Sequence, residues 1–127
     1  MSEVKVECKY TEEHEWISLE EEILTIGITD HAQESLGEIV FIELPKVGET
    51  FSKSSIFGAV ESTKSVSDLY MPVSGVVTEV NTSVENQPEL INQSPYNEGW
   101  MIKIKASNVS DLETLLSAEE YKNLIEE

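Results

Sequence analysis

The chain has no arginine, one cysteine and two histidines in 127 residues, and each shortage narrows the possible functions. Its eight lysines face 25 acidic residues, for a formal net charge of −17 at pH 7. A field of that sign repels phosphate backbones and anionic lipid, so neither nucleic acid nor a membrane surface is expected as a partner. It favours a soluble monomer and encounters with basic patches on larger proteins. A lone Cys8 can close no internal disulfide, which fits a reducing cytoplasm. Cys8 itself reads as part of an N-terminal tail. No apolar run approaches the roughly 18 residues of a membrane-crossing helix, and Met1 to Lys9 carries acids where a secretory signal would be apolar. The histidines lie far apart in sequence, and no Ser-His-Asp or metal-ligand spacing emerges. Catalytic residues and a metal site are therefore not expected, and the chain reads as no enzyme.

What is present is a pattern of short strands. Ile23 to Ile28, Ile39 to Leu44, Ile56 to Val60, Val73 to Val80 and Trp100 to Lys105 are apolar, mostly alternating runs, separated by turn signals at Lys46 to Glu49 and Asn97 to Gly99. Such spacing predicts a mainly β fold, a sandwich or barrel, in one domain spanning 1–127 with its core over about 10–105. A short internal helix is expected at Asp30-His31-Ala32-Gln33, with Asp30 as N-cap and Gly37 ending it. Ser110 to Glu113 and Ser117 to Glu120 read as capping boxes, opening C-terminal helices over about 110–126 whose leucines, Tyr121 and Ile125 share a face laid on the sheet. Val47 to Phe51 also faintly echoes Val80 to Val84, as two half-units of a pseudo-symmetric sandwich would, with Lys64 near their midpoint.

The informative stretch runs from Gly58 to Gly75. Two apolar strands flank a polar centre, Glu61 to Asp68, whose small hydroxyl residues suit a hairpin with Lys64 near its tip. A lysine there keeps a mobile amine, neutral only in small fraction near pH 7. An acyl-adenylate can be trapped by that fraction when an enzyme holds the two together.

Glu61-Ser62-Thr63-Lys64, followed by Ser67-Asp68 and Pro72-Val73-Ser74-Gly75, resembles the lipoylation hairpin of glycine cleavage H proteins. His14-Glu15-Trp16, Gly27 to Gln33, Leu36 to Phe41, Val80-Asn81, Pro88 to Asn92, Ser94-Pro95-Tyr96 and Gly99-Trp100 resemble further motifs of that family, in its order. The resemblance implies a barrel-sandwich hybrid of two antiparallel sheets, like a lipoyl domain, with lipoate in amide linkage to Lys64. It implies a carrier that accepts an aminomethyl group from a pyridoxal-phosphate glycine decarboxylase and presents it to an aminomethyltransferase. A dihydrolipoamide dehydrogenase then reoxidises the carrier, and a lipoate ligase or lipoyltransferase installs the arm.

Within that resemblance, biotin is disfavoured because biotin carriers usually flank the lysine with methionines, where Thr63 and Ser65 stand here. Glu61 and Asp68 offer carboxylates that a ligase could read; hairpin solubility explains them equally simply. Glu15 resembles the position lining the cleft that shelters the loaded arm, where a carboxylate could hold a protonated amine; a plain surface acid is the alternative. Glu13 stands where some family members carry a small hydroxyl residue. His14 and His31 are expected to serve structure, Trp16 and Trp100 to be core or cleft-wall aromatics, and Gly27, Gly48 and Gly75 to answer backbone needs. Two other functions remain open: a lipoyl donor to other lipoate-dependent complexes, and an unmodified interaction module.

Overall fold

The computed structural model describes residues 3–126, without the side chain of Val109, so Met1, Ser2 and Glu127 of the expected 1–127 unit lie outside it. The strands are β1 (Lys9–Tyr10), β2 (Glu15–Glu20), β3 (Ile23–Ile28), β4 (Ile39–Glu43), β5 (Thr50–Phe51), β6 (Ile56–Ser62), β7 (Val66–Tyr70), β8 (Gly75–Val80) and β9 (Ile102–Ala106). The α-helices are α1 (Asp30–Leu36), α2 (Thr82–Asn86), α3 (Glu89–Gln93) and α4 (Ala118–Ile125), with a 3-10 segment at Val109–Thr114 before the last. Every strand pairing is antiparallel. One sheet has six strands in the order β1-β2-β3-β9-β8-β5, the other three in the order β4-β6-β7, and neither closes on itself. The expected mainly β arrangement of two antiparallel sheets with a few helices is the one observed.

The alternation explains the core. Leu24, Ile26 and Ile28 of β3, Ile102 and Ile104 of β9, Ile39 and Ile42 of β4, and Val60 of β6 are buried in one cluster between the sheets. Each such side chain contributes about 1.5–3 kcal/mol by leaving water. A second cluster lies at the end of the large sheet, where Tyr10 stacks on Tyr121 of α4 at 4.5 Å and Trp16 meets Tyr96. Cys8 is buried in this cluster, not in a free tail, because β1 draws the N-terminal segment onto the sheet.

Several local expectations change. Helix α1 is capped by Thr29, whose hydroxyl accepts from the Ala32 N–H; Asp30 instead accepts from the Gln33 side chain. The 3-10 segment is capped by Asn108 and not Ser110, whereas the Ser117–Glu120 capping box of α4 is formed on both sides, an arrangement that contributes about 1 kcal/mol. Strand β8 begins at Gly75, not Val73, and β9 at Ile102, not Trp100. The two echoing segments differ, one supplying β5 and the other α2, so they are not equivalent half-units. Gly27 is required by space: a Cβ there would lie 2.8 Å from the Trp16 indole nitrogen.

Candidate functional site

Strands β6 and β7 run further into the polar centre than its composition suggests, pairing Glu61 with Val66 and leaving only a tight turn. The Ser62 N–H donates to the Ser65 carbonyl at 2.8 Å. The Ser62 hydroxyl closes the other side by accepting from the Lys64 and Ser65 N–H groups at 3.2 and 3.1 Å. A serine side chain thus satisfies donors that a primed hairpin turn would pair through left-handed residues. Neither Thr63 nor Lys64 has positive φ. Lys64 is exposed at this tip, as are Glu61 and Asp68 on the flanking strands.

The tip is braced from outside the hairpin. The Thr63 N–H donates to the Glu38 carbonyl at 3.0 Å. Gly37 ends α1 with φ of 82°, and the site where its Cβ would stand lies 3.4 Å from Lys64 Cε; glycine therefore both permits the left-handed turn and leaves room for the lysine stem. Asn92 of α3 pins that turn in place, accepting from the Ile39 N–H at 2.9 Å and donating to the Gly37 carbonyl at 2.8 Å. Sequence reading missed Ser62, Gly37 and Asn92 as supports, although Gly37 and Asn92 both fall in segments with family-like motifs.

Leu36, adjacent to Gly37, also lines a groove of about 220 Å³, together with Ile28, Ala32, Val60 and Leu69. Glu13, His14 and Asp68 contribute polar groups to it. Glu15 is not among its lining residues. It is 2% exposed, accepts the Tyr70 N–H at 2.8 Å through one oxygen and pairs with the Thr11 hydroxyl at 3.3 Å through the other. Burial pushes its carboxyl up to about 8; the charge of Glu13 adds to this, while the bonds from Tyr70 and Thr11 oppose it.

The histidines separated in sequence meet in space, with ring centroids 4.9 Å apart. His14 Nδ1 lies 2.9 Å from the Tyr121 hydroxyl, which is also 2.6 Å from the Thr29 hydroxyl. Burial, followed by the neighbouring His31, lowers the His14 pKa. Tyr121 therefore joins one wall of the groove at His14 to the cap of α1, which forms another. Among the described residues no group of three or more His, Cys, Asp or Glu is arranged to hold a metal, and no helix is long and apolar enough to cross a membrane.

A lysine displayed on the tip of a braced hairpin whose strands also line a mostly apolar groove, in a two-sheet β protein, defines a class of proteins that present one side chain to others. The family model described as "Glycine cleavage H-protein" matches residues 8–127, and the chain belongs to that family. It is 56% identical over 127 residues to the glycine cleavage system H protein of Carboxydothermus hydrogenoformans, covering 100% of this chain and 98% of the relative. The counterpart in Bacteroides fragilis is 52% identical over 117 residues, covering 92% of this chain and 93% of the relative. The crystal structure of a glycine cleavage system H protein from Mycobacterium marinum superposes with a TM-score of 0.90 at 39% identity, covering 98% of this chain and 100% of that one.

Proposed function

We propose that the chain is the lipoyl-bearing shuttle of a glycine cleavage system, carrying lipoate in amide linkage on Lys64. The observation that carries this reading is the exposed Lys64 on a tip held by Ser62, Glu38 and Asn92, its stem against Gly37, next to which Leu36 lines an apolar groove. These residues fit the group: the amine is accessible for acylation, and the groove offers apolar walls to an aliphatic arm. When bound, the lipoyl dithiolane supplies reversible attachment of the aminomethyl group and its redox chemistry, so the carrier needs no nucleophile and base of its own.

The chain's residues position, shelter and release. Ser62 and Glu38 keep the turn fixed while the lysine stem stays free to move. Ile28, Leu36, Val60 and Leu69 exclude water, and Glu13 and Asp68 favour a cationic group in the groove over a neutral one. Glu15 acts from beneath by holding the Tyr70 N–H and so fixing β7, the strand that carries Asp68. A compact body bearing a tethered group raises that group's effective concentration at each successive active site. The proposed partners are the pyridoxal-phosphate decarboxylase, the aminomethyltransferase, the dihydrolipoamide dehydrogenase and the lipoylating enzyme, and the proposed setting is the cytoplasm.

Intact mass after coexpression with a lipoate ligase tests the attachment site, with one lipoyl addition expected on the wild type and none on Lys64→Arg. Transfer of a labelled aminomethyl group to the acylated chain, with the decarboxylase and glycine present, tests the pathway. A chain that is acylated but accepts no label is no glycine carrier.

A further inference from the structure

The three-stranded sheet packs one face against the core and leaves Phe41, Glu43, Glu61, Val66 and Asp68 exposed on the other, which the segment 44–51 borders beside Ala59 and Asp68. The register shows what that outer face displays. Phe41, Glu61 and Val66 form one row across β4, β6 and β7, and Glu43, Ala59 and Asp68 form the next. The intervening Ile42 and Val60 point inward and are buried. Phe41 is 55% exposed and Val66 64% exposed, on a sheet edge where nothing in the core requires an aromatic ring. Among the described residues the ion pairs are Lys5–Glu3 and Lys105–Glu22, so no lysine neutralises Glu43, Glu61 or Asp68. The face thus carries two exposed apolar side chains, Phe41 and Val66, on either side of Glu61 among carboxylates with no ion-pair partner, and its first row flanks the Lys64 turn.

We propose that this outer face is the docking surface for the enzyme that acylates Lys64, with Phe41 as its main apolar anchor. The inference rests on the carrier reading above. Position decides among the possible occupants. An enzyme that acylates the amine must bring its activated acyl carbon to bonding distance of Nζ itself, so its footprint has to include the strands beside the tip. Enzymes that use a loaded arm can dock an arm's length away. Charge decides the chemistry of the partner: an apolar pocket for Phe41, with lysine or arginine beside it to meet Glu61 and the next row's Glu43 and Asp68, complements this face. The reaction there joins the neutral amine to the acyl carbon of an acyl-adenylate, forms the amide, breaks the bond to AMP and releases one proton.

The test uses the unmodified full chain with a lipoate–protein ligase, ATP and lipoic acid. Acylation is followed by intact mass, and binding of the unmodified chain to the ligase is followed by calorimetry. Phe41→Ser is expected to raise KM about tenfold and to weaken binding equally, with kcat within about twofold, as for an aromatic anchor residue. Glu43→Gln with Asp68→Asn is expected to flatten the dependence of kcat/KM on salt. Leu19→Ser, which removes an exposed apolar residue of the other sheet, is the control and should change neither. An unaltered KM in Phe41→Ser would overturn the inference while leaving the carrier reading intact; failure of the wild type to be acylated at all would sink the carrier reading instead. A wild-type dimer in sedimentation velocity that Phe41→Ser dissolves would assign the face to self-association. An equal loss in use of the already acylated Phe41→Ser chain by the decarboxylase would assign it to the arm-using partners, and either result overturns the proposal.

Discussion

Replacing Glu15 with glutamine should make the protein more stable at neutral pH. The carboxyl is 2% exposed and its pKa is pushed from 4.5 to about 8 by burial, so in the folded chain it is protonated across a range where the unfolded chain has lost that proton. Between those two values the folded state binds more protons than the unfolded state. By linkage, stability then falls as pH rises from about 4.5 to about 8 and is highest on the acid side of the window. At about 1.4 kcal/mol per pH unit, the loss from this one group is about 3 kcal/mol by pH 7. Glutamine keeps the shape, can accept from the Tyr70 N–H and can donate to the Thr11 hydroxyl, but cannot ionise. Glu15→Gln should therefore match the wild type near pH 4.5 and exceed its Tm by roughly 10 °C at pH 7, since 1 kcal/mol is worth about 4 °C in a domain of this size. Calorimetric Tm values across pH 4.5–8.5, taken as the difference between the two proteins, remove the general easing of acidic self-repulsion that both share. A difference that stays flat with pH, or that grows toward acid, would refute the reasoning.

Three further outcomes follow from the geometry. Ser62→Ala removes the acceptor of the Lys64 and Ser65 N–H groups and should cost about 1–2 kcal/mol in urea unfolding, with faster hydrogen exchange confined to those two amides and their neighbours. Gly58→Ala drives a methyl group into the Glu43 carbonyl oxygen; backbone cannot yield as a flexible side chain does, so a loss of about 3 kcal/mol or an unfolded product is expected by circular dichroism. Tyr121→Phe retains the stack on Tyr10 but removes the hydroxyl between His14 and Thr29. It should cost about 1–2 kcal/mol and shift the His14 imidazole resonances, which a substitution acting only on helix packing would leave in place.

Legibility tracked how sharply a residue's environment is encoded nearby. Ile23–Ile28 and Ile39–Glu43 were readable because one face of each strand is buried and the apolar period is two. Glu61 and Val66 to Asp68 read as the polar centre of the hairpin and not as strand, since the outer face of the small sheet is exposed and acidic residues there mask the alternation. The five-residue helices α2 and α3 are too short to show a helical period. The Ser117 box gave its helix start because both partners are local; the cap of α1 reads one residue late, on Asp30 and not Thr29, because an aspartate followed three residues later by Gln33 carries the sequence signature of a cap. Lys64 stood out from the hydroxyl-rich turn around it and from family motifs. Its supports did not, because Asn92 and Glu38 reach it only through the fold, and the same is true of the meeting of His14 with His31.

The turn that displays Lys64 is completed by parts it does not encode. The Thr63 N–H finds its acceptor on Glu38, and the backbone around Gly37 is fastened by a side chain from α3, which enters the sequence between β8 and β9. A peptide copied from 56–70 would own the lysine and the serine hydroxyl but neither foreign clasp. Grafting this loop onto another scaffold thus means transplanting a three-part mount, and a truncation ending before Asn92 would slacken the mount while leaving every residue of the loop in place.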